Sequence, residues 1–264
     1  MLLIGVTLSA GTKSKFKIIF LSDGSLVSKQ IATACAKSLI KFKIVEVSYN
    51  FKRRKENQSF SNYLFELIIT FLKSIRFFRY IFISKKNIYP YKRIYAGRCN
   101  SKKMKIILKN FKPDYIFISC GSILSHEIIQ IPKYGIINIH PGVLPFARGL
   151  DVIYHSIINN YPIGVTAHFL STGIDTGEII DIKLAEIKKF DSLNNIKLKV
   201  NRIRVTLFVD LMAKLKSGNK ILSEPQKNKF KLFSKANKQE ITLAQKMVKN
   251  GKVYKNYLEH INEY

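Results

Sequence analysis

Residues 16–49 read FKIIFLSDGSLVSKQIATACAKSLIKFKIVEVSY, and their succession sets the expected fold. FKIIFL (16–21) is an apolar run of strand length, SDGS (22–25) has turn chemistry, and LVSKQIATACAKSLI (26–40) has helical composition. FKIVEVSY (42–49) is a second strand-like run. Strand, helix and strand in that order need a crossover, so the two strands are expected to be parallel neighbours in an α/β sheet.

The same alternation continues downstream. SKKMKIILKNFKP (101–113) reads as a helix ended by Pro113, and DYIFISC (114–120) as a strand covered on both faces. SILSHEIIQ (122–130) follows Gly121 as a short helix or loop, and YGIINI (134–139) is a further strand. DVIYHSIINN (151–160) looks helical, whereas IGVTAHFL (163–170) and GEIIDIKLAEI (177–187) look like strands. A long helix is expected over 192–218, with Ser192 as its cap and Gly218 just past its end, and a short one near KQEITLAQKMVKNG (238–251). Two regions result: residues 1–190, and a C-terminal helix with a lysine-rich extension over 191–264.

With 47% apolar and 12% aromatic residues the 264-residue chain can bury a core, which excludes wholesale disorder. The net charge of +28 favours anionic partners: nucleic acid, an anionic membrane or phosphorylated metabolites. Chain-wide abundance of Lys, Ile, Asn, Phe and Tyr gives a second origin for that charge, compositional bias. Residues 52–105 hold fifteen Lys or Arg against two acids, and one long helix with irregular basic segments is expected there. Residues 63–83 are the most apolar stretch, but Glu66, Lys73, Arg76 and Arg79 interrupt them. A span needs about 20 apolar residues, so a helix packed on the sheet or lying on a membrane surface is expected instead. The start lacks the basic segment of a signal peptide, and Cys35, Cys99 and Cys120 lack metal-ligand spacing, which points to a reducing cytoplasm and no metal.

Ligands of open parallel sheets bind beyond the carboxyl ends of strands. Gly121 follows one strand, Asn138 and His140 close another, and Asp175 lies in the loop STGIDTG (171–177) after a third. A histidine beside a carboxylate is a tunable acid–base pair, and an asparagine amide can donate to a developing oxyanion. Together they suit addition to a carbonyl carbon. Asn and Asp are also the usual turn residues, so spacing alone leaves both readings open.

The stretch NIHPGVLPFARGLDVIYHSIINNYPIGVTAHFLSTGIDTGEII (138–180) resembles the active-site half of the folate-dependent formyltransferases. Asn-x-His-Pro, Leu-Pro, Arg-Gly, Gly-Val-Thr-x-His and Asp-x-Gly occur in the order found in that family, and the resemblance covers residues 113–182 well. It implies a Rossmann-like, mostly parallel sheet with helices on both faces, to which this sequence adds a basic helical insertion at about 52–105 and a short C-terminal tail. It implies transfer of a formyl group from 10-formyltetrahydrofolate to an amine, without a metal. Asn138, His140 and Asp175 match the catalytic trio. Gly121, Ser122, Ile123, Leu124 and Ile174 match the segments that hold the pterin. His168 matches a histidine near a catalytic water, with a satisfied strand histidine as the alternative; Arg148 and Gly149 either shape the acceptor pocket or form a turn held by an arginine. Ser22 and Gly24 of SDGS stand where an acceptor phosphate could meet a helix N-terminus. His126, His155 and His260 match nothing and read as surface or core residues.

Length, HPGVLPFARGLD (140–151), GIDTGEII (173–180) and the basic middle resemble the small bacterial formyltransferases of surface carbohydrates, while SDGS lacks the glycine-rich loop of the glycinamide ribonucleotide enzymes. The expected acceptor is therefore an amino sugar, nucleotide- or lipid-linked, with possible peripheral membrane contact. About 75 residues follow Phe190 without alternating strand patterns, so the β-barrel of methionyl-tRNA enzymes is not expected. Methionyl-tRNA, glycinamide ribonucleotide, water as acceptor (a hydrolase), and a non-catalytic basic binding protein are the alternatives.

Overall fold

The computed structural model describes residues 16–37, 42–48, 93–119, 121–227 and 230–261. The first dozen residues, most of the basic segment, the expected helix at 63–83 and Cys120 lie outside them, as does the side chain of His260.

In chain order the described elements are β1 (Ile18–Ser22), α1 (Leu26–Lys37), β2 (Lys43–Ser48), β3 (Arg93–Arg98), α2 (Lys102–Phe111) and β4 (Tyr115–Ser119). Then come α3 (His126–Ile129), β5 (Gly135–His140), β6 (Arg148–Gly149), α4 (Val152–Ile158), β7 (Gly164–Phe169) and β8 (Ile179–Leu184). The chain continues through α5 (Leu193–Lys216), β9 (Leu232–Phe233), α6 (Lys238–Lys249) and α7 (Lys252–Ile261).

β1 and β4 are continuous apolar runs because both faces are covered: every residue of each is buried. They pair in parallel, Ile18 opposite Tyr115 through Ser22 opposite Ser119. The seven-stranded sheet has the order β3-β2-β1-β4-β5-β7-β8. β1 to β5 run parallel; β7 and β8 join antiparallel. The sheet order reverses between β1 and β4, which opens a crevice at the carboxyl ends of the central strands.

The two-residue period sends alternate side chains to opposite layers. Phe20, Phe117, Ile137 and Ile139 meet α1 and α5 on one face. Ile19, Leu21, Ile116, Ile118 and Ile136 meet Met104 and Leu108 of α2 and Ile128 of α3 on the other. Helices therefore cover both faces, as the α/β reading expects. Phe208 of α5 is the centre of the first layer, its ring centroid 5.0 Å from Phe20 and 4.7 Å from Phe117.

Helix ends follow the sequence signals. Ser101 and Ser192 cap α2 and α5 by accepting from the amides of Met104 and Asn195. Gly218, with φ +84°, lies just beyond α5. Asn237 and Glu240 form a reciprocal capping box on α6.

Three elements differ from expectation. Residues 93–98 lie in a region read as helical and irregular, yet they form β3, the edge strand. Its pattern is hidden because an edge strand buries little: only Ala96 is fully buried, while Arg93, Ile94, Tyr95 and Arg98 are exposed. β9 is two residues long, too short for a period to show. The tail also holds a second helix, α7, and α6 and α7 contribute Ala244 and Val253 to the same buried cluster as Phe208.

Phe208→Ala removes the ring on which two strands converge. The expected loss is about 3–5 kcal/mol, or about 6–20 °C in thermal midpoint for a domain of this size, read by circular dichroism melting.

Candidate active site

β5 presents Ile137 and Ile139 to the α5 layer, so Asn138 and His140 fall on the opposite face. The strand runs through His140, so both polar residues sit inside the ladder. The antiparallel register with β7 sets His168 across from Asn138 and Thr166 across from His140. His140, His168 and Thr166 are all buried.

His140 Nε2 lies 2.7 Å from the Ala147 carbonyl oxygen. A carbonyl only accepts, so Nε2 carries a proton and donates it there. Nδ1, 3.6 Å from Asp175 Oδ2, is then the face left for proton chemistry. His168 Nδ1–H donates likewise to Phe169 O (2.8 Å), which leaves Nε2 to accept from the Asn138 amide at 3.3 Å. The same Nε2 is 3.5 Å from Asp175 Oδ1. Asp175 thus stands between two imidazoles, and the Gly149 amide donates to its Oδ2 at 2.9 Å.

Burial pulls the pKa of His140 below the ordinary imidazole value; the charge of Asp175 and the Ala147 carbonyl oppose this, and His168 and Arg204 add to it. Burial pushes the Asp175 carboxyl up. Protonated His168, protonated His140 and the Gly149 amide each favour the ionised form and outweigh that, holding it below the usual carboxylate range. The resting pair is a neutral imidazole beside an ionised carboxylate.

Local backbone structure fixes these groups. Thr166 Oγ1 accepts from the Leu144 amide (3.0 Å) and donates to Gly142 O (2.8 Å), tying the loop after β5 to β7. A methyl group at Gly142 would stand 2.7 Å from Ala147 O and 2.9 Å from His140 Nε2, so only glycine leaves their bond intact. Asp175 has φ +51°, a conformation that a non-glycine residue adopts only when held. Arg148 holds the preceding residue: its Nε and Nη2 donate to Ile174 O, and its Nη1 to Phe230 O. These bonds describe a turn held by an arginine.

The other sequence candidates are placed as follows. Gly121, Ser122, Ile123 and Leu124 follow β4; Leu124 is buried, and Ile123 is 73% exposed. The Asn100 carboxamide brackets this segment, donating to Ile123 O and accepting from the Ser125 amide. Ile174 is also exposed, at 42%. Ser22 Oγ accepts from the Gly24 amide. Asp23 Oδ1 accepts from the Ser25 amide and the Ser28 hydroxyl, so the start of α1 carries its own carboxylate. His126 is exposed; His155 is buried, stacked on Phe233 and donating to Ser234 O. Among the described residues no group of three His, Cys, Asp or Glu side chains is arranged to hold a metal ion.

Sequence reasoning did not single out Arg204, Thr166, Asn100 or Gln226. Arg204 had a signal: Ile196, Val200, Leu207, Leu211 and Leu215 form the buried stripe of α5, and Arg204 falls in its gap. Its Nε donates to Ile139 O at 3.0 Å, and its Nη groups bond no described residue. Burial lowers its pKa while the charge of Asp23 raises it, and the Arg204 charge in turn works against protonation of His140. Gln226 had no signal; its carboxamide donates to Asp175 O and Gly177 O.

Comparison with known proteins accords with this geometry. A methionyl-tRNA formyltransferase of Thermodesulfovibrio yellowstonii is 34% identical over 127 residues, 46% of this chain and 41% of that protein. The chain spans less than half the length of the curated relatives it matches. A sugar N-formyltransferase from a Shewanella species superposes with a TM-score of 0.58 at 20% identity, over 83% of this chain and 76% of that one. A formyltransferase from Anoxybacillus kamchatkensis, solved with UDP-4,6-dideoxy-4-formamido-L-AltNAc and tetrahydrofolate, gives 0.53 at 17% identity over 86% and 89%. The profile of the formyl transferase family matches residues 16–212, most of the chain and all of the Asn138, His140 and Asp175 cluster. The chain belongs to the formyl transferase family.

Proposed function

We propose that this protein transfers a formyl group from 10-formyltetrahydrofolate to the primary amine of a phosphorylated or nucleotide-linked amino sugar. The observation that carries the reading is the convergence of an asparagine amide, a tautomer-fixed neutral histidine and an ionised carboxylate where the carboxyl-terminal half of β5 meets β7 and the loop that follows β7. When bound, the folate supplies the formyl carbon. The segment 121–124 and Ile174, with two exposed isoleucines, would hold its pterin.

The acceptor amine becomes cationic as it bonds to the formyl carbon. His140 Nδ1 takes the surplus proton, directly or through water, because Nε2 is already committed to Ala147 O. Asp175 stabilises the resulting imidazolium, whose Nδ1–H and the Asn138 amide can donate to the developing oxyanion. As that oxyanion collapses, the formyl carbon's bond to the donor nitrogen breaks and the proton held on His140 goes to the departing nitrogen. Arg204 supports an anionic acceptor, since it is a partly desolvated guanidinium whose Nη groups bond no described residue and whose charge bears on His140. The buried thiol of Cys35, outside any disulfide, accords with a cytoplasmic location, and no helix among the described residues is long and apolar enough to cross a membrane. A second reading, methionyl-tRNA as acceptor, is favoured by the relatives with at least 30% identity and by the basic charge.

Formyl transfer measured against an amino-sugar nucleotide, glycinamide ribonucleotide and methionyl-tRNA separates these acceptors. Turnover is expected with the sugar; turnover with charged tRNA alone overturns that acceptor, and equal formate release without any amine makes the protein a hydrolase. His140→Ala and Asp175→Asn are each expected to lower kcat by about 10²–10⁴-fold, and full activity in both overturns the mechanism.

The pH dependence follows in sign. The pKa of His140 lies below the ordinary 6.5, so the acid limb of kcat/KM is expected below that pH. Asp175→Asn removes a charge that raises it, so the residual limb should move to still lower pH. NMR titration of the His140 ring checks both directions.

A further inference from the structure

The segment after α5 returns across the site. Glu224 and Ile179 exchange backbone hydrogen bonds, both 2.8 Å, at the start of β8. Gln226 follows, and its Nε2 donates to Asp175 O at 3.0 Å and Gly177 O at 2.7 Å. Phe230 O then accepts from Arg148, and β9 pairs in parallel with β6. Leu150 N donates to Phe233 O (3.0 Å) and Ala236 N to Asp151 Oδ2 (3.1 Å). Residues 224–227 and 230–236 therefore touch both the loop carrying Asp175 and the loop whose Gly149 amide meets its carboxylate.

One member of this strap meets Asp175 itself. Asp175 holds a left-handed φ of +51°. On its amino side Arg148 holds Ile174 O; on its own carbonyl and that of Gly177 both bonds come from one nitrogen, Gln226 Nε2. A methyl group at Gly177 would stand 1.7 Å from Phe169 O, so that end of the loop is pressed against β7. The Gln226 amide closes the remaining side. Its two protons match its two acceptors, and no other residue type of that length offers a neutral two-proton donor there.

We infer that Gln226 is a positioning residue for Asp175: by bridging the carbonyls of Asp175 and Gly177 it holds the carboxylate at the distance from which it stabilises protonated His140. This rests on the reading of His140 and Asp175 as the acid–base pair. Gln226 lies outside residues 16–212, the part that carries the family match. A carboxylate displaced by about 1 Å costs on the order of 10²-fold in a well-oriented reaction.

The test is steady-state formyl transfer, with pH profiles, for Gln226→Met and Gln226→Glu, with His140→Ala in parallel. Gln226→Met keeps length and loses both donors; kcat should fall about 10- to 100-fold with KM for the amine within about threefold and an unchanged circular dichroism melt. Its acid limb should move to lower pH, in the direction of Asp175→Asn, because His140 loses part of the charge that raises its pKa. Gln226→Glu sets a carboxylate against two carbonyls and should lose at least as much at neutral pH. Wild-type kcat in either variant overturns the inference, as does a lower kcat with an unmoved pH limb, which would make Gln226 merely structural. If Gln226→Met unfolds, the pH limb of the Glu variant decides. An active His140→Ala would instead sink the acid–base reading on which Gln226 depends, so the two failures are distinguishable.

Discussion

The antiparallel register between β5 and β7 is the constraint on which the site depends. It pairs Asn138 with His168 and His140 with Thr166. A slip of one residue would turn His168 and Thr166 to the other face. Such a slip would also drive Val165 and Ala167 out of the α5 layer, where both are fully buried. The apolar core therefore enforces the register of the polar groups. Thr166 carries this constraint outward, because its hydroxyl fixes the loop from Gly142 to Leu144 and so the approach of Ala147 to His140.

Electrostatics then divides the labour between two buried groups. A buried imidazole resists protonation, and a buried carboxylate resists ionisation, unless partners favour the charged form. Asp175 has such partners in the Gly149 amide and in either imidazole once that ring carries its second proton; His140 has only Asp175 and one carbonyl. Their environments push them to opposite protonation outcomes: charge settles on the carboxylate and a lone pair stays on Nδ1. The Ala147 carbonyl is what makes that lone pair unambiguous, because it fixes the proton on the far nitrogen.

The central strands were legible in the sequence because both their faces are covered, which leaves continuous apolar runs such as YIFIS. The edge strand RIYAGR was not, since the bulge opposite Glu46 and Val47 and its mostly exposed side chains erase both length and period. Asn138, His140 and Asp175 were legible as a motif, but their geometry was not: β7 and the loop after it meet β5 only through antiparallel pairing. Asp23 shows the opposite failure. SDGS looks like an open helix N-terminus, and only the folded structure shows the carboxylate of Asp23 accepting the Ser25 amide and Ser28 hydroxyl. Arg204 was visible in principle, as the one charge in the gap of an apolar stripe, while nothing local marks Gln226.

That last asymmetry has a physical origin. Asp175 sits in a conformation its own loop does not favour, so it must be held by groups distant in sequence. The strap can hold it because both its ends are anchored in the core: α5 precedes it with Leu211 and Leu215, and α6 and α7 follow it with Ala244 and Val253 in the same cluster. A segment fastened at both ends loses little further entropy when its middle hydrogen-bonds a loop. Helix α5 before the strap and α6 and α7 after it thus support the Asp175 loop through Gln226, a residue that no periodic signal marks.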